Sequence, residues 1–93
     1  AIQLRNLCDS VGVVMTLEDS WGGDITSATI AQLVGSTRPE FLFTSTDFNS
    51  YIDVVLADDA PRRKAGRLTV PSGPGLGIHV NEKALGKPVV TVT

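Results

Sequence analysis

Apolar residues recur at positions 4, 7, 8 and 11 (Leu4, Leu7, Cys8, Val11). That spacing keeps one face apolar and predicts a helix over Ala1 to Ser10. Gly12 then ends it in the left-handed manner usual at helix C-termini. Val13 to Leu17 is a short apolar run bounded by Gly12 and polar residues. It reads as a strand buried on both faces, as parallel strands usually are. Glu18 to Gly23 is a polar, glycine-rich loop, and Asp24 is a good N-cap for a helix from Ile25 to about Val34. Gly35 to Pro39 stops that helix. Phe41 to Thr44 is the next strand, Thr46 to Ser50 a second polar loop, and Tyr51 to Leu56 fits either a strand or a short helix.

Strands alternating with helices imply parallel βα units and an α/β fold. Two parallel strands cannot cover both faces of a sheet, so this unit is expected to belong to something larger. From Pro61 the pattern changes. Arg67 to Val70 could form a short strand, Pro71 to Gly77 is turn-forming and extended, and Asn81 caps one helical turn through Gly86. Pro88 to Thr93 reads as a closing extended segment or strand. The chain thus divides into βα units over 1–60 and a tail over 61–93.

Ninety-three residues suit one small domain with a modest core. A net charge of −2 gives no reason to expect nucleic acid or an anionic membrane. Arg62-Arg63-Lys64 reads as a solvated loop. The longest apolar run is far below the roughly 20 residues that cross a bilayer. The single cysteine, Cys8, reads as a small hydrophobe and excludes an internal disulfide framework, which suggests a reducing, cytoplasmic setting. The first residue is not methionine and already reads as helix, which suggests a truncated or processed chain.

Two loops carry residues capable of chemistry, each just past the C-terminal end of a predicted parallel strand. That is the edge where α/β folds bind ligands. Glu18 and Asp19 end the first strand; Asp47 and Asn49 follow the second. Each acid could equally cap a helix or face solvent. Trp21 can line a pocket, offering a cation its face, or plug the gap between loops. Gly73 to Gly77 is a poor phosphate loop, because no strand-loop-helix surrounds it and Pro74 lacks an N–H. His79 is the only histidine, so zinc binding and a catalytic triad are not expected.

The segment Glu18-Asp19-Ser20-Trp21-Gly22-Gly23-Asp24-Ile25, followed by Ala28, Ile30, Ala31 and Leu33, resembles the seventh strand and helix of enolase-superfamily barrels of the mandelate racemase/muconate lactonizing type. Thr46-Asp47-Phe48-Asn49-Ser50-Tyr51 is similar to the loop after their eighth strand. Gly66 to Pro71, Gly73 to Gly77 and Leu85 to Pro88 resemble their closing segment. The pairing of the first two motifs is narrower and resembles the branch acting on proline derivatives, the cis-3-hydroxy-L-proline dehydratases and hydroxyproline-betaine epimerases.

The resemblance implies the C-terminal portion of a modified TIM (β/α) barrel, the last two βα units plus a tail returning to a capping domain. A whole barrel takes about 250 residues. It also implies abstraction of an α-proton from a proline-type carboxylate held by Mg²⁺, with base lysines and metal-binding carboxylates on strands upstream of this segment. Lys64, Lys83 and Lys87 all lie in the tail, so neither catalytic nor metal-ligating residues are expected here. Substrate contacts are expected from Asp19, Asp47, Trp21, Phe48, Asn49 and Glu18. A secondary ammonium offers two N–H donors that Asp19 and Asp47 can accept, whereas a betaine nitrogen has none and needs an aromatic face such as Trp21 or Phe48. Asp47 at the eighth-strand position favours the free amino acid and a hydro-lyase of amino-acid catabolism; an epimerase is the second reading. A third is a non-catalytic structural or binding piece. The expected partners are a small amino-acid-like substrate and either the remainder of the polypeptide or further copies of the chain.

Overall fold

The computed structural model describes residues 1–93. The order is α1 (Ile2–Val11), β1 (Met15–Leu17), α2 (Gly23–Gly35), β2 (Leu42–Ser45) and α3 (Glu82–Leu85), with short 3₁₀ turns at Pro39–Phe41 and Phe48–Tyr51. The two strands pair in parallel, Met15 opposite Leu42, Thr16 opposite Thr44 and Leu17 opposite Ser45, with an irregularity between Met15 and Thr16. The connection through α2 is the βα crossover that parallel pairing demands.

α1 ends at Gly12, whose φ of 74° is left-handed and lets its N–H reach the Asp9 carbonyl. None of the residues of α1 is buried, and Leu4, Leu7 and Val11 are exposed. α2 packs on a stripe of small residues, Gly23, Asp24, Ser27, Ala28 and Ala31, all buried. These recur at near-helical spacing, so the helix axis can approach the strands closely. The inner face of its first turns is polar and that of its later turns apolar. The first half lies under the loops at the strand tips.

Several sequence expectations need correction. Asp24 is not an N-cap. The helix starts one residue before it, from Gly22 as N-cap with no capping side chain, because the Asp24 carboxylate is engaged elsewhere. The run from Val13 is a strand only from Met15, and Val13 and Val14 are exposed. A two-stranded sheet offers no second neighbour to cover them. Ile52 to Leu56 is neither strand nor helix. Arg67 to Val70 forms no strand. It contributes one antiparallel bridge, Lys64 to Arg67, across a tight turn in which Ala65 and Gly66 both have positive φ. Pro88 to Thr93 is not a strand either, and Val89, Val90 and Val92 are exposed. The turn capped by Asn81 is present, its Oδ1 accepting from the Lys83 and Ala84 amides.

The tail returns to the βα unit as far as residue 81. Gln32 Nε2 donates to the Pro71 carbonyl at 2.7 Å, and the Asn81 amide to the Leu56 carbonyl at 2.7 Å. No helix is long and apolar enough to cross a membrane.

Candidate functional site

The two loops past the strand ends meet. The Asp19 amide donates to Thr46 Oγ1 at 2.8 Å, and the Phe48 amide to Asp19 Oδ2 at 2.9 Å. Asp19 Oδ1 accepts from the Ser20 amide at 2.6 Å, and Oδ2 also accepts from the Ser27 hydroxyl on α2. Asp19 is buried, and its carboxylate is largely committed to holding the second loop against the first. The Asn49 amide in turn donates to Ser27 Oγ at 3.4 Å.

Behind these loops sits a buried polar cluster centred on Asp24, which is 1% exposed. Its Oδ1 accepts from Asn49 Nδ2 at 3.0 Å and pairs with Arg62 Nη2 at 2.8 Å. Its Oδ2 accepts from the Leu56 and Ala57 amides at 2.7 and 3.0 Å. Four donors meet the four lone-pair directions of one carboxylate. Asp24 therefore orders Leu56 to Arg62, a stretch with no regular structure of its own. Asn49 is equally buried, gives its second N–H to the Pro61 carbonyl at 3.0 Å, and accepts Arg62 Nη1 on its own carbonyl at 3.1 Å.

Asp47 is in a different state. Oδ1 pairs with Arg63 Nη2 at 3.0 Å, while Oδ2 is buried and has no hydrogen-bond partner. Asn49 Oδ1 is likewise buried without a partner. Both atoms are acceptors, so a donor is what each lacks, and a buried polar atom left unpaired costs about 1–3 kcal/mol. Asp47 and Arg63 also line a cleft of about 350 Å³ along β2, with Thr46, Gly66 and Leu68 among its walls.

Trp21 stacks on Phe48 with ring centroids 5.1 Å apart and planes 30° apart, and Tyr51 meets Phe48 edge-on at 6.1 Å. Trp21 is 75% exposed and Tyr51 is exposed. The aromatic group thus presents an indole face at the same end of the molecule as the acidic loops. Glu18 is exposed at the first strand tip and joins none of these contacts.

The structure therefore brings Asp19, Asp47, Phe48 and Asn49 together, sets Trp21 against Phe48, and leaves Glu18 on the rim. Sequence reading missed Ser27, Asp24, Arg62 and Arg63. A signal existed for the first two, since Asp24 and Ser27 are three apart on one helix face. Arg62-Arg63, expected to be solvated, instead reach inward to two buried acids. No three His, Cys, Asp or Glu side chains converge as metal ligands, and the oxygens of Asp19 and Asp24 already have partners. These residues do not fit a magnesium site, and no metal-dependent step can be derived from them. What the arrangement can do is accept hydrogen bonds beside an aromatic face.

Away from this site, Asp59 is fixed by His79. The His79 amide donates to its Oδ1 and Oδ2 at 2.9 and 3.2 Å, and Nδ1 lies 2.7 Å from Oδ2. The backbone bond first, and the ring second, hold the Asp59 carboxyl below its ordinary value of 3.8.

The family model for enolase C-terminal domain-like proteins matches residues 1–84. The chain is 52% identical over 86 residues to the cis-3-hydroxy-L-proline dehydratase of Roseibium aggregatum, a match spanning 92% of this chain and 23% of that protein. A mandelate racemase/muconate lactonizing enzyme from Roseovarius nubinhibens ISM superimposes with a TM-score of 0.84 at 36% identity, over 95% of this chain and 24% of that one. Another structure of that type from the same organism, complexed with magnesium, gives 0.88 at 34% identity over 98% and 25%. The chain thus spans about a quarter of the length of the relatives it matches.

Proposed function

This chain belongs to the enolase C-terminal domain-like family, its relatives being enzymes of the mandelate racemase/muconate lactonizing type, and from that premise we propose that it supplies the amine-binding wall of a cis-3-hydroxy-L-proline dehydratase. In this reading residues 1–60 are the last two βα units of a TIM barrel and residues 61–93 the tail that closes against a capping domain. The remaining walls, the base lysines and the ligands for Mg²⁺ come from the rest of the polypeptide. Bound there, the metal would neutralise the substrate carboxylate.

The observation that carries the reading is Asp47 Oδ2, a buried carboxylate oxygen at a strand tip with no donor. A proline-type substrate carries a ring ammonium with two N–H groups. One of them supplies the missing donor as a charge-assisted hydrogen bond. Asp19 acts one step back. Its oxygens are occupied by Ser20, Ser27 and Phe48, so it fixes the loop that carries Asp47 and does not itself meet the nitrogen. Trp21 and Phe48 shield the ring. With the amine so held, a base lysine from the rest of the polypeptide would take the α-proton, the C–H electron pair would form the C2=C3 double bond, and the 3-hydroxyl, protonated by an acid there, would leave as water. The enamine then tautomerises to the imine.

The exposed face of Trp21 supports a second reading, an epimerase of hydroxyproline betaines, because a quaternary nitrogen can use a π face and no carboxylate acceptor. Product analysis with the full-length protein separates the two. Water loss and an imine from cis-3-hydroxy-L-proline is the expected result. Inversion of a betaine without water loss selects the epimerase, and absence of both products defeats both.

A further inference from the structure

Arg63 makes contacts that no sequence argument anticipated. It is half-exposed, yet its Nη2 pairs with Asp47 Oδ1 at 3.0 Å and reaches Ser50 Oγ at 3.4 Å. Ser50 Oγ donates back to the Asp47 carbonyl at 2.9 Å. One guanidinium thus ties the side chain of Asp47 to the turn that follows it. The neighbouring Arg62 anchors the same stretch of backbone, through Asp24 and the Asn49 carbonyl. The backbone on either side of Asp47 is also held. The Phe48 amide bonds to Asp19, and the residue before Asp47, Thr46, accepts from the Asp19 amide. What remains free at Asp47 is rotation of its carboxylate, and Arg63 removes it. With Oδ1 held, Oδ2 is the oxygen left to accept.

We infer that Arg63 is the positioning residue of the amine site, aiming Asp47 Oδ2 at the ring nitrogen and restricting the site to ligands that bring an N–H donor there. The inference rests on the dehydratase reading and adds the residue that gives it amine specificity. Arg63 need not touch substrate. It acts by fixing the acceptor, and it offsets the Asp47 charge so that the empty site does not hold an unpaired buried carboxylate. A lysine would keep the charge but replace a rigid, planar guanidinium, whose Nη2 alone meets both Asp47 and Ser50, with a flexible point charge.

The test uses the full-length enzyme and its Arg63→Gln and Arg63→Lys variants, with kcat and KM for cis-3-hydroxy-L-proline, calorimetric binding of L-proline, and the unfolding midpoint. Arg63→Gln is expected to raise KM and weaken L-proline binding about tenfold, the effect of one mis-aimed charge-assisted hydrogen bond. kcat should stay within about threefold, while the midpoint should fall because buried Asp47 loses its cation. Arg63→Lys should recover part of the loss. Unchanged KM and proline affinity in Arg63→Gln overturns the inference while leaving the dehydratase reading intact. A parallel fall of kcat, proline affinity and midpoint, without rescue by lysine, makes Arg63 merely structural and also overturns it. A wild-type protein that neither turns over cis-3-hydroxy-L-proline nor binds L-proline sinks the inference and the reading together.

Discussion

At the scale of residues, acids of one type at similar depth do different work because their donors differ. Asp24 has four donors, Asp19 three, and Asp47 one cation and an empty oxygen. Asp24→Ala would leave two backbone amides, Asn49 Nδ2 and Arg62 Nη2 without their acceptor. Breaking a buried pair from one side costs about 3–5 kcal/mol, so denaturant unfolding of the full-length protein should show a loss of that order. The Asp59–His79 contact predicts the acid limb. The folded carboxyl titrates below its ordinary 3.8, so the contact stabilises the fold above that pH. The contribution is lost as pH falls through the depressed folded value. In an NMR titration, the His79 amide should shift with a midpoint below 3.8, and Asp59→Asn should abolish that step.

At the scale of elements, α2 carries both halves of the design. Its first turns hold Asp24 and Ser27 under the loops; its later turns bury Ala28 and Ala31, at 0% and 1% exposure. Ala28 is fully buried, so Ala28→Leu is expected to cost about 1–3 kcal/mol by overpacking. Because the same helix carries Ser27, which holds Asp19, the displacement should also weaken L-proline binding. Calorimetry on the variant checks this. The α1 helix shows the opposite situation. Its apolar stripe is well formed, yet Leu4, Leu7 and Val11 remain uncovered, since periodicity makes a face and cannot supply the surface that meets it.

At the scale of the whole molecule, the surface is too large for the mass. The chain exposes 6832 Å², where a folded monomer of 9.8 kDa exposes roughly 5,200 Å². Its Cα radius of gyration is 14.5 Å, against about 12 Å for a compact chain of this length. Only five apolar side chains are buried, three of them in α2 or β1 and none larger than Met15. Phe43, on β2, is 79% exposed. Exposed apolar surface of this kind marks interaction faces, and in the proposed reading the rest of the barrel covers it. The 93-residue chain made alone is expected to be inactive and to self-associate. Sedimentation velocity should find species above 9.8 kDa, and a hydrophobic dye should bind the chain alone but not the full-length protein. A stable, dye-silent monomer would contradict this.

Much was already legible in the amino-acid order. Local periodicity and breakers set the succession α1, β1, α2, β2, because such signals act within a few residues. They also placed Asp19 and Asp47 just past strand ends, and the two loop motifs carried the family. The strands expected at Arg67 to Val70 and Pro88 to Thr93 failed for want of a neighbouring strand to pair with, which no local signal reports. Only the tertiary structure decided which carboxylate is spent and which is open. Asp24 finds its donors 25, 32 and 33 residues away, and Asp47 finds its arginine in the tail. Hydrogen-bond satisfaction is settled by chain segments meeting in space, and the composition of a loop cannot record who will meet it.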